Sequence, residues 1–253
     1  IGAGLSTQSL VPYLKSKLDE YDWNLNVLDR NAATAIQRLG ETNSRCTAGG
    51  LDITDSAALD SALSEAHLVI SMVPAHMHLN VAKACIKHKA HLVTASYLTP
   101  EMRALDNEAR ANGLVFLNEC GLDPGIDHMS AARLLDGIRG DGGEIILFES
   151  FTGGLLSPDS EGDNPWRYKF TWNPRNVVLA GQGGAVKFMQ EGKYKYIPPH
   201  MVFRRTEFMN VEGYGRFEGL ANRDSLKYRK AYNLEHAATL YRGTLRRPGF
   251  ARA

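Results

Sequence analysis

The chain has few cysteines, almost no net charge and no long apolar run. Three cysteines, Cys46, Cys85 and Cys120, stand among 253 residues. They are odd in number and share no metal-ligand spacing, which argues against a disulfide framework and a zinc site. A reducing, cytoplasmic setting is expected. His76 and His78 flank a turn without further ligands nearby in sequence, so no metal is expected. The 29 Lys+Arg nearly cancel the 28 Asp+Glu, leaving +1. A broad field for nucleic acid or anionic lipid is therefore absent, and Arg204–Arg205 and "YRGTLRRPGF" read as local, solvated exceptions. No apolar run approaches the roughly 20 residues of a membrane span. No basic-then-apolar leader opens the chain, although a leader lost before Ile1 would leave no trace. No internal repeat or low-complexity tract is present.

What is present begins at once. In "IGAGLSTQSLVPYL", Gly2, Gly4 and Thr7 fall on the G-x-G-x-x-(small) pattern of a strand-to-helix phosphate turn. Gly2 would allow the tight turn, and Gly4 would let backbone N–H groups approach a pyrophosphate. Leu5 and Ser6 complete the turn. Thr7 replaces the third glycine at some cost in helix–strand closeness. The following helix would turn Leu10, Val11 and Leu14 inward. Only Ile1 remains of the preceding strand, so the start reads as clipped. "NLNVLDR" reads as a buried strand ending in Asp29, somewhat beyond the usual spacing of about 20 residues from the first glycine. A carboxylate there would accept the adenosine ribose hydroxyls; a solvated turn aspartate is the alternative. Arg30 follows it and could hold a 2′-phosphate, so the signals for NAD and NADP conflict. Asp29 is weighted more heavily, and NAD is expected, with NADP as the alternative.

Strands and helices then alternate to about residue 120. "TAIQRLG" reads as a helix ending at Gly40, "CTAGGLDIT" as a strand and turn, and "DSAALDSALSEA" as a helix. "HLVISMVP" reads as a strand broken by Pro74, and "HMHLNVAKACIKH" as a helix. "AHLVTASYL" is a strand, "PEMRALDNEARANG" a helix begun by Pro and ended by Gly, and "LVFLNECG" a strand. This pattern predicts a Rossmann-type doubly wound parallel sheet over residues 1–122. Ligands of such sheets bind at the carboxyl ends of the strands. The turns at Gly2–Thr7, Asp29–Arg30, Asp52–Ile53, Val73–Pro74 and Ser96–Tyr97 therefore belong to one edge, as do Leu122 and Asp123. Asp123 and Asp127 have a plainer alternative as caps of the helix "IDHMSAARLLDGI". After Gly143 the texture changes. "EIILFESFTGG" and "WRYKFTWN" read as strands, and "AVKFMQEGKYKYI" as a hairpin turning at Glu191–Gly192. Residues 123–253 are expected to form a second, mixed α/β domain that binds substrate.

At "NECGLDPGIDHM" the sequence resembles the saccharopine dehydrogenases that form L-glutamate, also called saccharopine reductases. Matching blocks follow in order: "SY" with "TP" at Ser96–Pro100, "FTGG" at Phe151–Gly154, "DNPWRYKFTW" at Asp163–Trp172, "EGLANRDS" at Glu218–Ser225 and "YRGTLRRPGF" at Tyr241–Phe250. The resemblance implies a dinucleotide-binding domain with an inserted substrate domain, and pairing as a homodimer. The family's return segment, which completes the first domain, is missing from this chain, so truncation is expected. The implied chemistry is reversible hydride transfer between a nicotinamide and saccharopine, linked to L-glutamate and α-aminoadipate semialdehyde in lysine metabolism.

The resemblance places Tyr97, Asp123 and Thr152 near the reaction centre. Thr152 stands where many relatives have cysteine, so a thiolate is not required. Ser96, Tyr168, Trp172, Asn222, Arg223 and Arg242 are expected around the substrate, with Arg223 as the main carboxylate clamp. His128 is expected in a helix-start structural role. Two rival readings are an enzyme acting on another amine–aldehyde pair, like carboxynorspermidine or homospermidine dehydrogenase, and a dinucleotide-binding fragment without turnover.

Overall fold

The structure, a computed structural model, describes residues 1–164, 167–171, 174 and 184–252. It divides into two units, Ile1–Ile126 and Asp127–Ala253.

In the first unit the elements run α1 (Leu10–Ser16), α2 (Leu18–Tyr21), β1 (Leu25–Asp29), α3 (Ala32–Leu39), β2 (Cys46–Gly50), α4 (Ser56–Leu63), β3 (Leu68–Ser71), α5 (His78–His88), β4 (His91–Thr94), α6 (Pro100–Arg103), α7 (Asp106–Ala111) and β5 (Phe116–Leu117). Strands β1 and β2 pair in parallel from Leu25↔Cys46 to Asp29↔Gly50, and β3, β4 and β5 form a second parallel run. The backbone of Ile1 and Gly2 joins the two. Gly2 N–H donates to Leu28 O (2.7 Å), the Ile1 amino group to Ile70 O (2.7 Å) and Met72 N–H to Ile1 O (2.7 Å). The resulting order, β2–β1–(Ile1–Gly2)–β3–β4–β5, is that of a dinucleotide-binding sheet.

Both faces of this sheet are covered. On β1, Val27 enters a cluster with Val11, Ala35 and Leu39, while its neighbour Leu28 packs on a cluster with Leu59, Val81, Cys85 and Leu92. Successive strand residues point to opposite faces, so the two clusters lie on opposite sides. Local caps set the helix starts. Asn31 accepts from Ala33 N–H, Asp55 from Ala57 and Ala58 N–H, and Thr99 from Met102 N–H just before Pro100. The single helix expected over "PEMRALDNEARANG" is two. Leu105 N–H bonds Met102 O, three residues back, and this tighter turn ends α6 and places Leu105 against the core.

The second unit holds α8 (Ile126–Gly140), β6 (Leu147–Thr152), β7 (Val186–Gln190), β8 (Lys193–Ile197), β9 (Thr206–Val211), β10 (Gly215–Ala221) and β11 (Thr239–Arg246). One sheet runs β8–β7–β11–β10–β9, antiparallel throughout, and β6 joins β11 in parallel from Thr239↔Leu147 to Thr244↔Thr152. Leu240 packs with Ala131 and Leu135 of α8, and Tyr241 packs with Phe188 and Ile197, so this sheet also has two covered faces. The β7–β8 hairpin turns at Glu191 (φ 51°) and Gly192 (φ 74°), both left-handed as a two-residue turn between twisted strands requires. The strand expected over "WRYKFTWN" is not formed at Arg167–Thr171. Arg167 has φ 48°, and the Asn164 side chain takes both backbone groups of Tyr168. Backbone satisfied in this way has nothing left for a ladder.

Candidate functional site

Parallel pairing puts the carboxyl ends of β1 to β5 at one edge of the first unit, and the glycine turn follows Ile1 there. Gly2 has φ +93°, and a Cβ on it would meet the Met72 carbonyl carbon and oxygen at 2.8 Å, which restricts the position to glycine. Gly4 differs: nothing lies within 4 Å of the place its Cβ would take. The turn thus leaves open space beside its backbone, as a phosphate cradle needs. The buried Thr7 hydroxyl donates to Gly4 O (2.8 Å) and closes the turn that a third glycine would otherwise tighten. Leu5 and Ser6 are exposed on its rim. Arg38 of α3, which carries no sequence signal, donates to Ala3 O (3.3 Å) and Gly4 O (3.2 Å) and braces the turn from behind. These features fit a nicotinamide dinucleotide.

Asp29 is half-buried, and its carboxylate faces inward. Oδ2 accepts from Ala3 N–H (2.7 Å) and Oδ1 from Asn31 N–H (2.9 Å), so it ties the glycine turn to the start of α3. Arg30 is exposed, and no hydrogen bond or ion pair reaches its guanidinium among the described residues. The Asp52 carboxylate accepts from the Thr54 hydroxyl and N–H; these bonds hold it below its usual pKa, with Arg30 adding attraction. The Ile53 side chain is buried in the core, leaving its backbone to face the edge. Val73 is half-buried there, and Pro74 and Leu122 are exposed.

The stretch from Asn118 to Gly125 carries many ionisable groups because it is knitted onto the loop after β4. Glu119 N–H donates to Ser96 O (3.0 Å), Cys120 N–H to Thr94 O (3.0 Å), and Glu119 Oε1 accepts from Leu98 N–H (2.9 Å). Gly121 N–H reaches Pro124 O (2.9 Å), and Gly125, at φ +150°, could carry no Cβ without striking Gly121 O at 2.1 Å. This turn delivers Asp123 to Tyr97, whose hydroxyl donates to Asp123 Oδ1 at 2.6 Å. Beside the pair lies a cleft of roughly 260 Å³, lined by His76, His78, Tyr97, Met102 and Asn118 among others. His78, weighed in the sequence only as a metal ligand, is buried there and bonded on both ring nitrogens, to Ser71 Oγ (2.9 Å) and Ser96 Oγ (2.8 Å). Among the described residues no group of three or more metal-ligating side chains occurs.

In the second unit, Thr152 ends β6 opposite Thr244. Asn222 and Arg223 follow β10. Asn222 N–H donates to Arg242 O (2.9 Å), and Arg223 O accepts from Lys187 N–H (2.9 Å). Arg223 is exposed with φ 47°, a left-handed conformation uncommon for a residue other than glycine, and no ion pair to it occurs among the described residues. Arg242 is different. It is buried, its guanidinium pairs with Asp127 Oδ2 at 2.5 Å and stacks 4.3 Å from the Tyr228 ring. Asp127 is thus an ion-pair partner and not a simple helix cap. His128 Nδ1 bonds the Tyr232 hydroxyl, tying α8 to the sequence-distant helix Tyr228–Ala231 and its end. Tyr168 lies against Phe170 and Phe250. Trp172 lies outside the described residues.

Known proteins match this arrangement along the whole chain. Residues 1–117 match the family model described as saccharopine dehydrogenase NADP binding domain, and residues 121–253 the saccharopine dehydrogenase C-terminal domain. The saccharopine dehydrogenase [NADP(+), L-glutamate-forming] of Saccharomyces cerevisiae is 36% identical over 99% of this chain and 54% of its own length. That of Pyricularia oryzae is 40% identical over 79% of this chain and 44% of its own. The solved apo saccharopine dehydrogenase (L-Glu forming) from Saccharomyces cerevisiae superposes with a TM-score of 0.88 at 35% identity, covering 99% of this chain and 55% of that one. The chain therefore spans about half the length of these relatives. With both family domains in sequence, and 36% identity to a family member over 99% of this chain, the chain belongs to the saccharopine dehydrogenase family.

Proposed function

We propose that the protein is an oxidoreductase that interconverts saccharopine with L-glutamate and α-aminoadipate semialdehyde, using NADP. The observation that carries this reading is the Tyr97–Asp123 pair at 2.6 Å, set on the same sheet edge as the glycine turn. A bound nicotinamide would supply the acceptor for a hydride from the CH2 carbon beside the secondary amine of saccharopine, the side that becomes the semialdehyde. The resulting carbon–nitrogen double bond is positive when protonated, and the Asp123 carboxylate offsets that charge. The Tyr97 phenol donates to Asp123 and so presents its oxygen lone pairs, which can accept a hydrogen of the amine or of the water that adds to the carbon. Breakdown of the water adduct releases glutamate and the semialdehyde. Saccharopine carries three carboxylates. Arg223 is the cation proposed for one of them, since its exposed guanidinium has no ion pair among the described residues.

The choice of NADP replaces the NAD expectation. That expectation rested on the Asp29 carboxylate repelling a 2′-phosphate, and part of its charge is offset by the two backbone N–H groups its oxygens accept. The exposed Arg30 is then the dominant charge for the ribose side, suited to a 2′-phosphate. The two fungal relatives are themselves named for NADP(+). The test is the absorbance of reduced nicotinamide formed from saccharopine with NADP or NAD. Turnover with NADP preferred is expected; no turnover with saccharopine refutes the substrate, and a preference for NAD refutes the cofactor.

A further inference from the structure

Ser71, His78 and Ser96 form one chain of side chains across the ends of β3 and β4. Ser71 is 0% exposed and His78 4%. Burial, with repulsion from His76 added, pushes the imidazole pKa down to about 4, so the ring is neutral near pH 7 and has one donor and one acceptor nitrogen. Which nitrogen holds the proton follows from Ser71. Its hydroxyl oxygen has His78 Nδ1 as its partner, and no other partner among the described residues. If Nδ1 carried the proton, the Ser71 hydroxyl hydrogen would be left buried without an acceptor, a costly arrangement. The Ser71 O–H therefore donates to Nδ1, and Nε2–H donates to Ser96 Oγ. Ser96 then spends one lone pair on Nε2–H and has its own proton left to give.

The Ser96 backbone is held as well. Its N–H donates to Thr94 Oγ1 (3.0 Å) and its carbonyl accepts from Glu119 N–H (3.0 Å). The hydroxyl is thus fixed in place from both sides of the peptide and from the imidazole. We propose that His78 is a positioning residue which, through its Nε2–H, makes Ser96 a hydrogen-bond donor to an oxygen acceptor of the bound ligand, such as a carboxamide or carboxylate oxygen. This rests on the first unit binding dinucleotide and substrate at this edge. His78 acts through Ser96. Its effect is one of polarity: the same serine without it could accept from a ligand as readily as donate.

Two measurements test this. The first uses the unliganded protein labelled with nitrogen-15 in its histidine rings, with the His78→Asn variant to assign the signal. A neutral ring protonated on Nε2 is expected, and a ring protonated on Nδ1 overturns the proposal. This readout needs no turnover, so it stands or falls separately from the proposed reaction; failure of the wild type to turn over saccharopine would refute that reaction alone. The second is a mutant cycle. His78→Leu is expected to lower kcat/KM about tenfold, the scale of one lost hydrogen bond, and to add little once Ser96→Ala is present. Equal losses in both backgrounds would show that His78 acts without Ser96 and overturn the proposal. His78→Gln keeps an acceptor and a donor and is expected to recover part of the loss in the Ser96 background; no recovery in a folded protein counts against it.

Discussion

Gly2 and Gly4 lie two residues apart, and their substitution should fail in opposite ways. In Gly2→Ala the new methyl meets Met72 C and O at 2.8 Å and Val73 N at 3.2 Å. These are backbone atoms of the segment leaving β3 and cannot swing aside. The residue must also hold φ +93°. Left-handed backbone costs an L-residue about 1–2 kcal/mol, and forced overpacking about 1–3 kcal/mol. Together this is about 2–5 kcal/mol, a large share of an ordinary domain's stability of about 5–15 kcal/mol. Gly4 has φ −69° and open space around its Cβ position. Gly4→Ala should leave stability within about 0.5 kcal/mol of wild type. It should nevertheless weaken dinucleotide binding, because the methyl occupies the room reserved for phosphate. Urea denaturation gives the first quantity and fluorescence titration with reduced dinucleotide the second. A Gly4→Ala protein that is stable and binds with unchanged affinity would show that this turn does not cradle the pyrophosphate. A Gly2→Ala protein of normal stability would refute the packing argument.

Three further outcomes are expected. Arg30→Ala should weaken NADP by about tenfold or more, on the scale of a charge-assisted bond, while NAD is little changed; equal losses in titrations with each would remove Arg30 from the 2′-phosphate. Asp127→Asn should lower stability by about 1.5–3 kcal/mol, the scale of a hydrogen bond to a charged group, because it removes the carboxylate paired with the buried Arg242 guanidinium. The double variant Asp127→Asn, Arg242→Met should recover part of this in denaturant, and a single variant as stable as wild type would contradict the assignment. Tyr97→Phe should lower turnover by about 10²-fold or more, typical of a lost proton-handling group, with dinucleotide affinity retained; a loss confined to affinity would move Tyr97 out of the reacting centre.

The parts of this fold that were legible in the sequence are those written in neighbouring residues. Gly2, Gly4 and Thr7 announce a turn because its conformation is a local demand, and Glu191–Gly192 announces a hairpin for the same reason. Alternating strands and helices predict the parallel sheet, and the sheet alone gathers Asp29, Asp52, Val73, Ser96 and Asp123 at one edge. What could not be read is where a charged group spends its hydrogen bonds. Asp29 sits where a ribose reader would sit, yet both oxygens turn to Ala3 and Asn31, and only packing decides that. Arg242 and Asp127 are 115 residues apart and carry no shared signal. Asn164 takes the backbone groups of Tyr168, within the described stretch 167–171 where aromatic residues would otherwise predict a strand, since side-chain amides compete with ladders in a way propensity does not weigh. His78 is the sharpest case. In "HMHL" it reads as one of two histidines without further metal ligands, and its meaning appears when β3 and β4 bring Ser71 and Ser96 to its two nitrogens. A motif specifies where a ligand can lie; which atoms of the site give protons and which receive them is set by contacts between strands that the motif does not contain.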